Sequence, residues 1–205
     1  MTATALQNVR KRLLAGICLA IICCLTSVWP AVSSAGSKID IEQQIQPAQM
    51  EAFFIYGFSN YITWRDTPGL PNPKSELYVG VVGDEIATGP IIEALETLKM
   101  KETNKQIVLS IKKFGAYRPE DDYSGIHILY ISASEQDHYE EILNKMAHAP
   151  VLTVSNGESF ALHGGIINFV TINHRLRFVI NRLAGEAVGF EFSSRLLKTA
   201  AEVIY

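Results

Sequence analysis

The sequence predicts an α/β fold: a single domain with a largely parallel sheet, helices on both faces and a C-terminal hairpin. Three observations lead there. Short continuous apolar runs at Leu77–Gly83 (LYVGVVG), Ile126–Ser132 (IHILYIS) and Val151–Ser155 (VLTVS) read as strands buried on both faces. Stretches with apolar residues at helical spacing alternate with them, the pattern of a parallel sheet covered by helices. Near the end, Ile166–Ile172 and Arg175–Asn181 are separated only by Asn173-His174, which suits a hairpin turn.

Taken in order, the chain opens with Arg10, Lys11 and Arg12, then sixteen uncharged residues from Leu13 to Val28, then Pro30 and the small residues Ala31 to Ala35. Positive, apolar and small-residue regions in that order make residues 1–35 a secretory signal peptide cleaved near Ala35. A retained anchor is the competing reading, because the apolar run is only slightly shorter than a bilayer span. Cys18, Cys23 and Cys24 are the only cysteines and leave with the signal, so the mature chain is expected to form neither a disulfide nor a thiolate metal site. Roughly 170 residues remain, enough to bury a core without such staples.

Residues 36–46 are polar and read as a flexible lead-in to a domain over 47–205. Pro47 suits a first helical turn, and Met50, Phe54, Phe58 and Tyr61 form an apolar stripe that carries the predicted helix to Trp64. The PGLPNP stretch at 68–73 breaks it. After the strand at Leu77–Gly83, Ile91, Ile92, Leu95 and Leu98 mark a helix over 86–98. Ile107–Ile111 is a further strand, and the charged stretch 112–124 is loop or edge. Ser134 caps a helix over 135–147. Residues 182–189 and a Ser193-capped helix ending near Ile204, with Leu196, Leu197, Ala200 and Ile204 on one face, close the chain.

Composition excludes several classes. The chain is 48% hydrophobic and 19% charged with a net charge of −3, which is too apolar for disorder and not basic enough for a phosphate-backbone binder. It has no G-x-S-x-G elbow, no phosphate-binding G-x-x-x-x-G-K-[ST] loop and no H-E-x-x-H pair. His127, His138, His148, His163 and His174 show no ligand spacing on one helix, so no metal or cofactor is expected. Asp121-Asp122 lacks the glycine and distal glutamate of a calcium loop and reads as a solvated turn. Ser155 has no base beside it in the sequence, so no catalytic residue is assigned and the chain is not read as an enzyme.

Two segments stand out. Phe53, Phe54, Tyr56, Phe58, Tyr61 and Trp64 place six of 19 aromatics within twelve residues, more than one core-facing stripe holds. The second is Phe160–Phe169 (FALHGGIINF), where Gly164 and Gly165 allow close backbone approach just before a strand. A helix cap and turn would also account for a glycine there.

These segments carry a family resemblance. In order and spacing, AFFIYGFSNYITW (52–64), VGVVGD (79–84), HILYIS (127–132), PVLTVS (150–155), Phe160 through GGIINF (164–169), RFVIN (177–181) and SSRLLK (193–198) resemble the YfiR family of periplasmic bacterial proteins. The resemblance covers nearly the whole mature chain. It implies an α/β fold that tends to dimerise and a regulatory task without catalysis. The best-known member binds the periplasmic sensor domain of an inner-membrane diguanylate cyclase and holds it inactive, and an outer-membrane lipoprotein can sequester it. Such proteins link the state of the envelope to cyclic di-GMP, biofilm and motility. Cysteine pairs of the best-known members have no counterpart in the mature chain, so redox control does not carry over. Arg65 stands where proline is expected after Trp64.

The leading expectation is therefore a periplasmic inhibitor of a membrane diguanylate cyclase. Its partner-binding patch would comprise Tyr61, Trp64, Phe160, Ile166, Ile167 and Phe169 around Gly164 and Gly165, with Arg177 as a polar anchor. The alternative is a periplasmic small-molecule receptor for an aromatic or amphipathic ligand. Its crevice at the strand ends would be formed by Asp84 and Ser155 and lined by Tyr61 and Trp64.

Overall fold

The computed structural model describes residues 46–65, 69–101 and 107–205. The expected signal peptide and nearly all of the lead-in lie outside the described residues. The elements are α1 (Pro47–Phe58), β1 (Ile62–Thr63), β2 (Glu76–Val82), α2 (Glu85–Lys101), β3 (Val108–Gly115), β4 (Ile128–Ile131), a 3-10 turn (Ala133–His138), α3 (Tyr139–Met146) and β5 (Leu152–Ser155). After them come β6 (Ile167–Ile172), β7 (Arg175–Asn181), α4 (Arg182–Ala187), β8 (Glu191–Phe192), α5 (Ser194–Thr199) and β9 (Glu202–Ile204).

Seven strands form one sheet in the order β3-β2-β4-β5-β6-β7-β9. The β3, β2, β4, β5 and β6 strands are mutually parallel, β7 returns antiparallel to β6, and β9 runs parallel to β7. All four residues of β4 and of β5 are buried, as expected of strands covered on both faces. Successive side chains divide between the layers: Leu77, Val79, Val81, Ile128 and Tyr130 join the core under α1 and α2. Leu129 and Ile131 join a second core under α3 with Tyr139, Ile142 and Phe160. Asn173 and His174 both take left-handed φ values, 51° and 59°, which the two-residue hairpin turn demands. The predicted α/β fold, largely parallel sheet and C-terminal hairpin are all present.

Three boundaries differ from the sequence expectation, each for a local reason. Helix α1 stops at Phe58 rather than Trp64, because Asn60 and Tyr61 close tight turns onto Gly57 and Phe58 and the Ser59 hydroxyl donates to the Tyr56 carbonyl. The β-branched Ile62-Thr63 then pairs antiparallel with Glu191-Phe192. The helical segment before β5 opens two residues early as the 3-10 turn, with Ser132 rather than Ser134 as its cap, bends at Glu135, and becomes α-helical only at Tyr139. The last helix ends at Thr199, and Glu202–Ile204 leaves it to add a strand along β7. Strand β3 runs on through Lys112-Lys113, a charged edge of the sheet that resists pairing with another chain. Among the described residues no helix is long and apolar enough to cross a membrane.

Candidate functional site

The residues expected to form one partner-binding patch are not on one surface. Phe160, Ile166, Ile167 and Phe169 are buried, with Phe160 fully enclosed. They also divide between the two sides of the sheet: Phe160 packs edge-on against Tyr139 in the α3 core, while Ile166, Ile167 and Phe169 belong to the α1/α2 core. The reason lies in the glycines. A Cβ at Gly165 would sit 2.1 Å from a ring carbon of Phe160, so the room made by this glycine is filled by the chain's own aromatic. Gly164 is a turn residue with φ of +96°. Of this segment Leu162, His163 and Gly164 face solvent, whereas Phe160, Gly165, Ile166, Ile167 and Phe169 are buried.

Tyr61 and Arg177 do remain exposed, and Tyr61 borders an open apolar groove. On α1 the buried face is Glu51, Ala52, Ile55 and Phe58, not the stripe through Met50 and Tyr61. That rotation leaves Phe53 and Gly57 at i and i+4 on the outer face, with Tyr61 beside them just past the helix end. Together with Phe54, Phe58, Phe178, Leu196, Thr199 and Arg195 they line an apolar groove of about 250 Å³ between α1 and α5. Phe53 is 60% exposed at its edge. The floor is rigid: Phe54 and Phe58 pack against Phe169 and Phe178 with centroids 5.3 to 6.3 Å apart. Arg177 donates from Nη2 to the carbonyl of Thr199 (3.2 Å), beside the groove. Phe53 belongs to the aromatic cluster evident in the sequence but not to the expected patch, although its i, i+4 spacing with Gly57 marks one helix face.

The alternative crevice does not assemble either. Trp64 lines a separate hollow of about 520 Å³ with Pro71, Lys74 and His127, residues that precede β2 and β4. Its ring rests edge-on against Phe190, and its indole Nε1–H is buried with no acceptor among the described residues. Asp84 and Ser155 follow or end β2 and β5 at the opposite end of the sheet, about 20 Å away at the rise of a seven-residue strand. Both are occupied. Asp84 accepts the Ala87 N–H as the α2 cap (2.9 Å), and buried Ser155 bonds the Tyr139 hydroxyl (2.8 Å) and accepts from the Gly157 N–H (3.0 Å).

Other chemistry-bearing residues resolve into structural roles. His127 is buried; its Nδ1 accepts the Tyr78 N–H and its Nε2–H donates to the Pro71 carbonyl (2.9 and 2.8 Å). Burial pushes its pKa down and keeps it neutral. Asp121 pairs with Arg118 and accepts its N–H, and Asp122 accepts both the N–H and the hydroxyl of Ser124, so each carboxylate is used within its own turn. Among the described residues no three His, Cys, Asp or Glu converge to hold a metal. A buried carboxyl that the sequence reading passed over is Glu51 on the inner face of α1, at the carboxyl end of the sheet. It accepts a hydrogen bond from the Tyr130 hydroxyl (2.8 Å).

Among curated proteins none matches this sequence. A solved structure with the same fold is a conserved domain protein from Vibrio cholerae O1 biovar El Tor, 15% identical, with a TM-score of 0.51. The match covers 77% of this chain, which spans 60% of the length of that protein. The family model for YfiR/HmsC-like proteins matches residues 48–201, from the first turn of α1 to the threshold of β9. That span takes in both cores, the hairpin and the groove, and the chain belongs to the YfiR/HmsC-like family, a family associated with periplasmic regulation of cyclic di-GMP signalling.

Proposed function

We propose that this protein is exported by a cleaved signal peptide and acts in the periplasm as an inhibitor of an inner-membrane diguanylate cyclase. It binds the sensor domain of that cyclase through the α1/α5 groove and so lowers cyclic di-GMP. The single observation that carries this reading is the exposed aromatic edge formed by Phe53, Gly57 and Tyr61 over a rigid aromatic floor. Family membership supports a sensor protein as the partner.

The physics is that of a preformed anchor site. A pocket whose floor does not move costs little to order on binding. Covering the Phe53 ring is worth about 2 kcal/mol at the usual value for a large apolar side chain. Arg195 gives the rim charge and direction, and aromatic residues bordered by arginine have the composition of interface hot spots. Inhibition then requires only that the groove favour the inactive conformation of the sensor domain. About 3 kcal/mol of differential affinity moves such an equilibrium more than a hundredfold. Dimer formation and sequestration by an outer-membrane lipoprotein belong to the same reading.

The direct test is binding of the purified mature protein to the periplasmic domains of the membrane cyclases of its own cell. Phe53→Asp is expected to weaken the productive pair at least tenfold while the thermal transition stays in place. Binding unchanged by Phe53→Asp would move the interface elsewhere on the molecule.

A further inference from the structure

We propose that the crevice between α1 and α2, at the carboxyl ends of the central strands, binds a small organic ammonium ion, with the carboxylate of Glu51 as its counter-ion. This goes beyond the partner reading and uses a different end of the molecule from the aromatic groove.

The crevice holds about 430 Å³, a volume within the ordinary range for small-molecule sites. Glu51 lies at its inner wall, only 6% exposed. Two neutral donors hold the carboxylate in place. The fully enclosed Tyr130 gives its hydroxyl proton at 2.8 Å, and the side-chain amide of Asn156 gives an N–H. The amide is itself oriented, because its Oδ1 accepts the Ala133 backbone N–H (3.0 Å). Among the described residues no lysine or arginine pairs with Glu51, and none lines the crevice. The other carboxyl on the wall is Glu93, from α2, so an anion would meet like charge.

A carboxylate buried without a cation is costly, and burial accordingly pushes the Glu51 carboxyl above its usual range. An arriving ammonium group would supply the missing charge and make a charge-assisted hydrogen bond to a pre-oriented acceptor. Pro90, Ile91 and Ala94 of α2 offer the remainder of the molecule an apolar wall. A hard divalent cation fits less well, since one carboxylate, a phenol already donating and one amide fall short of the oxygen ligands it requires.

The experiment is a thermal-shift and calorimetric titration of the mature protein with butylammonium, phenethylammonium and putrescine, alongside 2-phenylethanol and 3-phenylpropionate. At least one amine is expected to raise the transition midpoint by several degrees and to saturate, while the alcohol and the acid leave it unchanged. Glu51→Gln keeps an oxygen for the Tyr130 hydroxyl and is expected to lose affinity for that amine at least tenfold. Ala87→Trp at the exposed mouth fills the crevice without touching Glu51 and is expected to abolish binding, which decides the matter if Glu51→Gln fails to fold. No shift with any amine, an equal shift with the alcohol, or amine binding retained in either folded variant would overturn the proposal.

Discussion

The molecule contains two segments that look alike in the sequence and behave in opposite ways in the fold. One is Phe53 to Tyr61 at the end of α1; the other is Phe160 to Phe169 leading into β6. Each combines aromatics with glycine, and each could have been a surface that receives a partner. At Gly165 the space left by the absent side chain is taken by Phe160. At Gly57 an added Cβ would meet nothing within 4 Å, and the opening belongs to a groove. A glycine beside aromatics therefore marks close packing or an open site according to whether the same chain fills the gap. The space beside Gly57 is open and the space beside Gly165 is closed.

The comparison breaks most readily at its closed end. Phe160→Asp places a carboxylate where the ring is fully enclosed against Tyr139, and it is expected to cost about 4 kcal/mol or more. Urea unfolding of the purified domain measures it. A variant with unchanged stability would mean that Phe160 is not core.

Matched glycine replacements sharpen the contrast, because the same chemical change has opposite signs. Gly165→Ala drives a methyl into the Phe160 ring and is expected to destabilise by about 1–3 kcal/mol. Tyr139→Phe, which removes the hydroxyl that bonds Ser155 (2.8 Å), comes next at about 1 kcal/mol. Gly57→Ala adds a methyl to open space within α1 and is expected to stabilise by about 0.5–1 kcal/mol while narrowing the groove. All three are read from the midpoints of urea unfolding curves. A destabilised Gly57→Ala would show that the groove is closed in solution.

The fold was legible where burial was two-sided or the backbone chemistry was local. The runs containing Val79–Val82, Ile128–Ile131 and Leu152–Ser155 are apolar on both faces because both faces are covered. Asn173-His174 announces its turn because few residues other than glycine tolerate two successive left-handed φ values. Periodicity misled where two structures share it. Residues 59–64 continue the helical spacing of α1, yet Ile62-Thr63 finds a strand partner 129 residues later in Glu191-Phe192, a contact no local pattern encodes. The same limit hid β9, a three-residue strand whose partner is β7.

The candidate sites were less legible than the fold, because exposure depends on rotation of α1 about its axis. A shift of the buried face onto Glu51, Ala52, Ile55 and Phe58 exposes Phe53 and draws a carboxylate inward. Apolar pattern alone does not foresee the second event, since it assigns Glu51 to water. Its burial requires Tyr130 and Asn156, which lie 79 and 105 residues further along the chain. The neighbours of Trp64 are Phe190 and the residues preceding β2 and β4, far from Asp84 and Ser155, contacts that no local pattern encodes.

The central claim, that the open aromatic groove restrains a cyclase, is tested most directly by intracellular cyclic di-GMP. The measurement compares a strain lacking the gene, the same strain complemented with the wild type, and the same strain complemented with Phe53→Asp at equal periplasmic abundance. Phe53 is 60% exposed, so this replacement is expected to change stability by no more than about 0.5 kcal/mol. The account predicts that deletion raises cyclic di-GMP, that the wild type restores it and that Phe53→Asp does not. Full restoration by Phe53→Asp would remove the groove from the mechanism, and an unchanged level on deletion would contradict restraint of a cyclase altogether.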